Sequence, residues 1–494
     1  TRCSRDWSSD VCSSDLKTFN IKALKIDVVQ EVHVMRDHDI RKPLDFDRSL
    51  YGVAFDEKIN LAYLPEVVVA NTIINNENIL RTRSIFKTSH LSTTQEVTLT
   101  KRNVFTLYQF RMQSFYKSEI SDVPLYRGHR LYEKIETDLL LSSAISAGNY
   151  LQKSVNEKGE FLYEYLPKID KFSKRYNVLR HAGSIYAMLE LYELTKNEDL
   201  LKAAKLALTN LIERAESVTI KAEALLCIVE KGFVKLGANA LTILALSKYI
   251  SITKDTSYLN VAIKLALWMK FAQNASGNFY IHKQKFSNKK NTYFVSGYYP
   301  GEAIFSLIRL YQVDPNPLWL DMAQKAADYI IKVRDKDLNI AQLEHDHWLL
   351  YGLNELHRFR EDPIYIDHTK KLTKAIISAQ YRKSEPRDYL GGFYIPPRGT
   401  PTAARAEGMC AAYQLFKDNH FVAECNEILD TIKLCLQFQL QSQYLPERAL
   451  YLINPMQSLG GFSRSLTDYS IRIDYVQHNL SSIIGLYKIL KSID

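Results

Sequence analysis

A degenerate internal repeat of about sixty residues constrains the fold of this chain more than any other feature of its sequence. The pattern Leu-x-x-[Ala/Thr]-x-Lys, with Ile in place of Leu in the last copy, occurs four times at spacings of 59, 61 and 46 residues. The copies lie at residues 200–205, 259–264, 320–325 and 366–371. Each follows a helix-start signal and continues with apolar residues three or four positions apart. Each copy therefore predicts an amphipathic helix with one face in water.

A second repeat alternates with the first. Gly-x-Phe followed by further β-forming residues appears at residues 159–161, 277–279, 391–393 and 460–462, with Lys231-Gly232-Phe233 as a weaker fifth copy. We expect a short strand at each copy, where a loop opens. The helices predicted after these loops are rich in Ala, Gly, Ser and Leu and apolar on nearly all faces, which is typical of inner, buried helices.

The two kinds of helix alternate six times. Amphipathic helices are predicted near residues 136–153, 198–214, 257–274, 318–333, 364–380 and 420–439. Inner helices are predicted at residues 180–194, 237–250, 301–311, 346–356, 402–416 and 474–490. Six such hairpins predict a mainly α fold, an (α/α)6 toroid over residues 131–494. The period is too long for a tetratricopeptide or HEAT array, and an open α-solenoid stays as the alternative.

The region before the toroid has a different composition. Residues 20–130 contain segments rich in Val, Ile, Thr, Tyr and Phe, separated by Asn-rich breaks, which predicts a small α+β or mostly β accessory domain over residues 17–130. Residues 1–16 have no apolar period and resemble the translated sequencing-adapter read-through found at the ends of metagenomic gene models. We therefore leave them out of the fold and expect the natural start to be missing. The localisation is then undetermined, with the cytoplasm slightly favoured.

Composition excludes several classes of protein. The 494 residues are 46% hydrophobic and 24% charged, as in an ordinary globular protein, and the net charge of +9 is spread without a basic block, so we do not expect nucleic-acid binding. No apolar run reaches the roughly 20 residues of a membrane span, so we predict none. Cys227, Cys410, Cys425 and Cys435 lack Cys-x-x-Cys spacing and are expected to be free thiols, most of them buried. The oligomeric state stays open.

Candidate functional residues gather at the starts of the inner helices. All inner helices of a toroid run in the same direction, so their N-terminal ends share one rim of a central funnel. Five of the six starts carry ionisable groups, and the exception is Gly237-Ala238-Asn239. The groups are Arg180-His181, Tyr299 with Glu302, Glu344-His345-Asp346-His347-Trp348, Arg405 with Glu407, and Arg472 with Asp474, Gln477 and His478.

Helix energetics explains only part of this pattern. An acidic residue complements the helix dipole, so Asp346 or Asp474 alone is explained by capping. A cation opposes the dipole at the same place, so Arg180, Arg405 and Arg472 indicate pairing with carboxylates or with an anionic ligand. Buried Arg–carboxylate pairs that only hold the toroid together are the alternative.

Histidines occupy three of the starts. His181, His347 and His478 belong to different inner helices, and a buried hydrogen-bonding role and a catalytic role are both open for them. Metal binding is not expected, because residues two apart, such as His345 and His347, face different sides of a helix. The sequence has no His-Glu-x-x-His, Gly-x-Ser-x-Gly, Walker or dinucleotide-binding motif, so no cofactor is predicted.

The hairpin number, the period and the Gly-x-Phe loops resemble those of the six-hairpin glycosidase-like superfamily. Its (α/α)6 toroids include many glycoside hydrolases, polysaccharide lyases and sugar 2-epimerases. The resemblance covers residues 131–494 and includes no diagnostic motif for a reaction. Terpene cyclases and lanthionine cyclases fit less well, because the chain has no Asp-x-Asp-Asp-like cluster at a helix start and no Cys/Cys/His zinc set.

The resemblance implies a carbohydrate-active enzyme that holds a carbohydrate or another small molecule in the funnel, stacked on aromatic side chains. Hydrolysis or lyase chemistry with rim carboxylates is the preferred reaction, with Asp346 and Asp474 as the pair and Glu302 and Glu407 as substitutes. Aromatic candidates near the rim are Tyr186, Tyr298, Tyr299, Trp348, Tyr394 and Tyr475. The substrate-binding candidates are Arg180, His181, Tyr299, Trp348, Arg405 and Arg472.

Two alternatives stay open at this point. In a sugar 2-epimerase, His347 and His478, or His181, would exchange the proton at C2, and Arg180 or Arg405 would polarise the carbonyl. A non-catalytic toroid that binds a glycan or a peptide is the other alternative. Neither the sugar nor the linkage can be derived from the sequence.

Overall fold

The computed structural model describes residues 23–35, 43–47, 50–75, 77–100, 105–119, 121–220 and 222–493. The segment of residues 1–16, with its resemblance to adapter read-through, lies outside the described residues. The chain forms two compact units, Thr1–Leu131 and Tyr132–Asp494.

The first unit contains both strands and helices. Its strands are β1 (Ala23–Val34), β2 (Gly52–Phe55), β3 (Ala62–Tyr63), β4 (Leu107–Ser118) and β5 (Asp122–Leu125), and its helices are α1 (Pro65–Ala70), α2 (Thr82–Thr88) and α3 (Thr93–Thr100). The antiparallel sheet has the order β1-β4-β2-β3, and β5 also pairs with β4. A core of buried apolar side chains, among them Val53, Ile59, Val68, Ile85 and Leu107, joins the helices to the sheet.

The second unit is an (α/α)6 toroid. Its inner helices are α5 (Val178–Thr195), α7 (Leu236–Thr253), α9 (Tyr299–Tyr311), α11 (His347–Phe359), α13 (Gly399–Asp418) and α17 (Ile473–Lys491). Its outer helices are α4 (Thr137–Ser154), α6 (Glu198–Ile212), α8 (Leu259–Phe271), α10 (Pro317–Tyr329), α12 (Pro363–Ala379) and α14 (Val422–Gln441). The twelve helices predicted from the alternating repeats are confirmed, with ends that differ by a few residues.

The ring is closed. Each inner helix packs on the next in chain order, and the last, α17, packs on the first, α5. The open α-solenoid is thereby excluded. The inner helices are buried on nearly all faces, as their composition predicted; α7, for example, buries residues on every side from Leu236 to Ile250. Among the described residues α7 is the one helix long and apolar enough to cross a membrane, and most of it is buried inside the toroid.

The Gly-x-Phe repeat forms a turn that fastens each loop to the following outer helix. Gly159, Gly277, Gly391 and Gly460 all have φ between 78° and 92°, where residues with a side chain are strained. A Cβ at any of them would clash with a backbone carbonyl of the next outer helix. For Gly460 that carbonyl belongs to Ser146 of α4, the first outer helix, so the last copy of the motif closes the ring.

A buried glutamine completes three of these turns. Gln273, Gln380 and Gln443 follow α8, α12 and α14, and the Nε2 group of each donates to the carbonyl of the motif glycine and to a carbonyl of the next outer helix. The motif phenylalanines are buried under the turns. The strand expected at each copy is not formed at these four: Phe161, Phe279 and Phe462 make single β-bridges, and Phe393 makes none. At the fifth copy the expected strand is present and begins at Phe233.

The fifth copy, Lys231-Gly232-Phe233, is not equivalent to the others. Gly232 also has a positive φ, but a Cβ there would meet nothing within 4 Å. It lies in the turn of an antiparallel sheet of β8 (Ala215–Ile220), β9 (Glu223–Glu230), β10 (Phe233–Lys235) and β11 (Lys283–Lys285), which the repeat did not predict.

The remaining elements lie in the loops between outer and inner helices. A second small sheet joins β6 (Glu164–Leu166), β7 (Lys171–Phe172) and β12 (Ile471–Arg472), so the loops before α5 and α17 are paired. The single-turn helices α15 (Pro446–Ala449) and α16 (Pro455–Ser458) lie between α14 and α17. Cys227, Cys410, Cys425 and Cys435 are free, and all but Cys425 are buried, as predicted.

Candidate functional site

Glycines bring the starts of the inner helices together at one rim. Gly237 in α7 lies against Glu302 of α9, Gly301 in α9 against Asp346 at the start of α11, and Gly408 in α13 against His347. A Cβ at Gly408 would lie 2.9 Å from the His347 Cα, closer than real side chains allow. Because these positions carry no side chain, the neighbouring helix starts approach closely enough to share one group of polar residues.

His347, Glu407 and His478 meet in the interior of this rim. The rings of His347 and His478 face each other edge to face, with centroids 5.3 Å apart. His478 Nδ1 donates to Glu407 Oε1 at 2.8 Å, and the side chains of Glu407 and His478 are 1% and 13% exposed. Neither ring nitrogen of the buried His347 has a hydrogen-bond partner. The rim therefore brings together two imidazoles. The one on α11 has no hydrogen-bond partner, and the one on α17 is bonded to the carboxylate on α13.

The electrostatic environments of the two histidines differ. Burial, reinforced by the charges of His478 and Arg405, holds the pKa of His347 well below its usual value, so this ring is neutral near pH 7. Burial also opposes the charge of His478, but the carboxylate of Glu407 outweighs it and raises the pKa of His478. One ring is thus ready to accept a proton and the other to donate one.

Two further carboxyl groups lie beside this pair. Asp346 caps α11, its Oδ1 accepting from the Leu349 backbone N–H at 3.2 Å, and its Oδ2 has no partner. Burial raises the pKa of Asp346 to about 7. Glu302 Oε2 is also buried without a partner, and burial followed by the charge of Asp346 raises the pKa of Glu302 well above its usual value. Near pH 7 Asp346 is therefore divided between its protonated and ionised forms, and the protonated form of Glu302 is favoured.

Asp474, the other member of the predicted carboxyl pair, is occupied by two arginines. Arg472 binds it through two parallel bonds of 2.5 and 2.9 Å, and Arg180 Nε lies 3.0 Å from its Oδ2. Arg180 also donates to Tyr163, a residue that carries no motif and that the sequence did not single out. The two cations at these helix starts are thus explained by a shared carboxylate, with the Arg180 side chain 36% exposed.

His181 is buried with both ring nitrogens engaged, which favours a structural role over the predicted substrate binding or proton exchange. Its Nδ1 accepts from the Tyr176 hydroxyl at 2.6 Å, and its Nε2 donates to the Ala207 carbonyl of α6 at 2.8 Å. Both nitrogens are engaged between an inner and an outer helix, and burial lowers the pKa of His181 to about 4. It therefore holds α5 against α6 as a neutral ring.

Aromatic side chains surround His347 of α11 and His478 of α17, the two histidine candidates for catalysis. Trp348 packs against the His347 ring at 4.8 Å and is buried, while the Tyr298 ring lies 6.0 Å from His347 and is 41% exposed. Tyr299 is buried against His282. Tyr298 is therefore the better placed of the two tyrosines to meet a ligand, whereas Trp348 and Tyr299 support the walls.

Arg405 has a different environment from the other rim arginines. Its Nε donates to His345 Nδ1 at 2.7 Å, and its guanidinium lies 4.6 Å from the Phe393 ring centroid and 5.3 Å from that of Tyr394. Among the described residues no carboxylate lies within ion-pair distance of it.

The same three side chains are the one group among the described residues whose donor atoms lie close enough for a metal ion. The atoms of His347, Glu407 and His478 lie within 4.8 Å of one another. The sequence did not suggest this group, because its members come from three helices. The bond between Glu407 and His478 already satisfies two of the three donors, which fits a hydrogen-bonded proton-transfer group without a metal.

The closed ring and the polar rim define an (α/α)6 toroid of the kind found in carbohydrate-processing enzymes. Among solved structures, cellobiose 2-epimerase from Bacillus thermoamylovorans B4167 has 14% identity and a TM-score of 0.54, covering 72% of this chain and 99% of that chain. A D-mannose isomerase has 13% identity and a TM-score of 0.52, covering 72% of this chain and 97% of that chain.

A hydrolase with the same fold is similar to a comparable extent. The GH76A α-1,6-mannanase from Salegentibacter sp. HEL1_6 has 13% identity and a TM-score of 0.52, covering 71% of this chain and 99% of that chain. The sequence matches no protein-family model and no curated protein. At these identities the similarity establishes the fold and leaves the reaction to the residues of the rim.

Proposed function

We propose that this protein is a carbohydrate epimerase or isomerase that moves a proton at the carbon next to a sugar carbonyl. The observation that carries the proposal is the facing pair of His347 and His478, with Glu407 bound to the second ring. Two differently polarised imidazoles are what proton removal and proton return require. The similarity in fold to a cellobiose 2-epimerase and a D-mannose isomerase agrees with this choice.

The chemistry balances with these groups alone. In the open-chain sugar, His347 accepts the proton from C2, and the electrons of the C2–H bond move toward the C1 carbonyl oxygen to form an enediolate. Arg180, partly exposed and held by Asp474, is the cation placed to stabilise the oxygen. Return of a proton from His478 to the opposite face of C2 gives the epimer. Return of the proton to C1, with transfer of the O2 proton to O1, gives the ketose.

Glycoside hydrolysis is the second candidate, and the pKa of Asp346 favours it. A carboxyl with a pKa near 7 and one free oxygen suits a general acid. Asp474 is a poor base for this reaction, because two guanidinium groups bind its carboxylate. In this mechanism Glu407 would act as the base in place of Asp474, because Glu302, the other predicted substitute, has a pKa well above its usual value and is kept protonated.

Solvent deuterium incorporation tests the proposal. The protein is incubated in D2O with glucose, mannose and cellobiose, and deuterium at C2 is followed by NMR. We expect exchange in the wild type and a loss of at least about a hundredfold in His347→Gln and in His478→Gln, the lower end of acid–base contributions. His420→Asn, a matched change at an exposed turn, serves as control.

The other outcomes would each overturn the proposal in a recognisable way. Release of reducing sugar from an α-1,6-linked mannan without deuterium exchange, lost in Asp346→Asn, would identify the hydrolase. Isomerisation without deuterium incorporation would mean a hydride shift rather than a proton transfer. Saturable binding of sugars without either reaction would identify a binding toroid.

A further inference from the structure

A second cavity opens on the same rim, between the fourth and fifth hairpins. Its volume is about 690 Å³, and it lies between the end of α12 and the loop before α13, with Arg405 and His345 at its inner side. The cavity belongs to neither the histidine pair nor the Asp474 cluster. It is large enough for a monosaccharide unit, since ligand pockets begin at roughly 300 Å³.

The cavity carries positive charge that no lining residue neutralises. Arg382, Lys383 and Arg405 line it, and none of its lining residues is acidic. Arg405 bonds to His345, to the Pro401 carbonyl and to the Tyr394 hydroxyl, and Arg382 bonds to the Thr431 hydroxyl. In the part of the chain that the structure describes, none of the three cations has a carboxylate within 4.0 Å. Arg180 and Arg472, in contrast, share Asp474.

The walls of the cavity also carry exposed apolar side chains on which a sugar ring can pack. Tyr394 and Ile395 are 54% and 76% exposed at the mouth of the cavity, and Phe393 supports Arg405 from below. Tyr394 has a φ of 73°, which is strained for a residue with a side chain. An exposed tyrosine beside a guanidinium can cover the apolar face of a pyranose while the cations bind a charged substituent.

The cavity lies close to the histidine pair. The charge of Arg405 contributes to lowering the pKa of both His345 and His347. The same residues connect the two places: Arg405 and Glu407 lie two positions apart on α13, and Arg405 bonds to His345, two positions before His347.

We propose that this cavity is a subsite for an acidic saccharide, in which Arg382, Lys383 and Arg405 bind a carboxylate or phosphate group and Tyr394 packs on the ring. The inference deepens the proposed function, on which the choice of a sugar ligand rests, by naming the substrate class. Uronic acids and sugar phosphates share the required chemistry, a pyranose that carries an anionic substituent.

Isothermal titration calorimetry with methyl glycosides separates this proposal from the proposed reaction. A methyl glycoside has no free carbonyl and cannot undergo the proposed proton transfer, so its binding is measured without that reaction. The ligands are the neutral methyl glycoside, the methyl uronide and the methyl glycoside 6-phosphate, each in the gluco and manno series. We expect an anionic ligand to bind at least about tenfold more tightly than its neutral counterpart, as one charged hydrogen bond provides. Salt at 0.5 M should weaken this preference.

Variants of the lining cations test whether the cavity causes the preference for anionic ligands. Arg405→Gln, and independently the double variant Arg382→Gln with Lys383→Gln, should remove the preference for the anionic ligand. Lys371→Gln, the same change of charge on the exposed face of α12, should keep it. Tighter binding of the uronide or of the phosphate identifies which of the two acids the subsite binds. Equal binding of neutral and anionic glycosides by the wild type, or a preference that survives in the double variant, would overturn the inference.

Discussion

At the residue scale, the rim shows how burial divides similar groups into different roles. His181 and His347 are both buried histidines at the start of an inner helix, but His181 has a partner on each nitrogen and His347 has none. A buried imidazole without partners is costly unless a ligand or a proton uses it. The unsatisfied ring is therefore the one we assign to proton transfer.

Replacing Glu407 tests the electrostatic control of His478. Glu407→Gln removes the charge that raises the pKa of His478 against burial, so this pKa must fall. If protonated His478 is the donor, the alkaline limb of the exchange rate moves to lower pH. The pH dependence of deuterium exchange between pH 5 and 9 measures the shift. Glu361→Gln, an exposed change, should leave the profile in place, and an unmoved profile in Glu407→Gln would remove Glu407 from the mechanism.

At the element scale, the Gly-x-Phe turns explain why the hairpins repeat. Each turn needs a positive φ and close contact with the next outer helix, and glycine satisfies both. The glutamines after α8, α12 and α14 donate both to the carbonyl of the motif glycine and to a carbonyl of the next outer helix. A glutamine before three of the motif glycines was visible in the sequence, but its spacing differs from copy to copy because the loops differ in length.

Gln443 should contribute strongly to stability, because it joins the last turn to the first outer helix. Its side chain accepts from the Ser143 hydroxyl at 2.6 Å and donates to the carbonyls of Ser143 and Gly460. Gln443→Ala leaves these buried groups unpaired and should lower the free energy of unfolding by about 1–3 kcal/mol. Chemical denaturation measures the change. Gln414→Ala, whose side chain bonds to Asp418 at the surface, should change the stability by less than about 0.5 kcal/mol; equal losses in both variants would contradict the role given to Gln443.

At the scale of the whole molecule, the toroid buries several carboxyl groups that prefer to be protonated. Burial raises the pKa values of Asp346 and Glu407 to about 7 and that of Glu302 further. A carboxyl whose folded pKa lies above its unfolded pKa stabilises the fold at low pH, and this contribution is lost as the pH rises through the folded value.

The contribution of Asp346 to stability should therefore be lost as the pH rises from 5 to 8, whereas buried histidines with lowered pKa values, such as His181 and His347, contribute in the opposite sense. Each unit of pKa shift corresponds to about 1.4 kcal/mol, so the loss is on the order of a few kcal/mol. Asp346→Asn keeps the cap of α11 but does not ionise, so its Tm relative to that of the wild type should rise between pH 5 and pH 8. Scanning calorimetry at both pH values measures the difference. Asp367→Asn, on the exposed face of α12, should keep the wild-type dependence, and a Tm difference between Asp346→Asn and the wild type that is the same at both pH values would contradict the prediction.

The sequence by itself determined the helices, their order and their division into an outer and an inner layer. Burial of one face gives an outer helix apolar residues at a 3.6-residue period, and burial of all faces makes an inner helix apolar all round, so both patterns can be recognised within one segment of sequence. It also selected His347, Glu407 and His478 as helix-start residues, although Glu407 lies in the interior of α13, which begins at Gly399. It did not identify which groups pair, since Asp474 with Arg180 and His478 with Glu407 join residues far apart in the chain.

Only the tertiary structure decided the roles at the rim. Ring closure brings α17 against α5 and sets which side chain faces which, and the pKa of each carboxyl depends on how completely its neighbours exclude water. The predicted pair of Asp346 and Asp474 could not be tested from periodicity for this reason: both lie at helix starts, but one is buried with a free oxygen and the other is bound by two guanidinium groups.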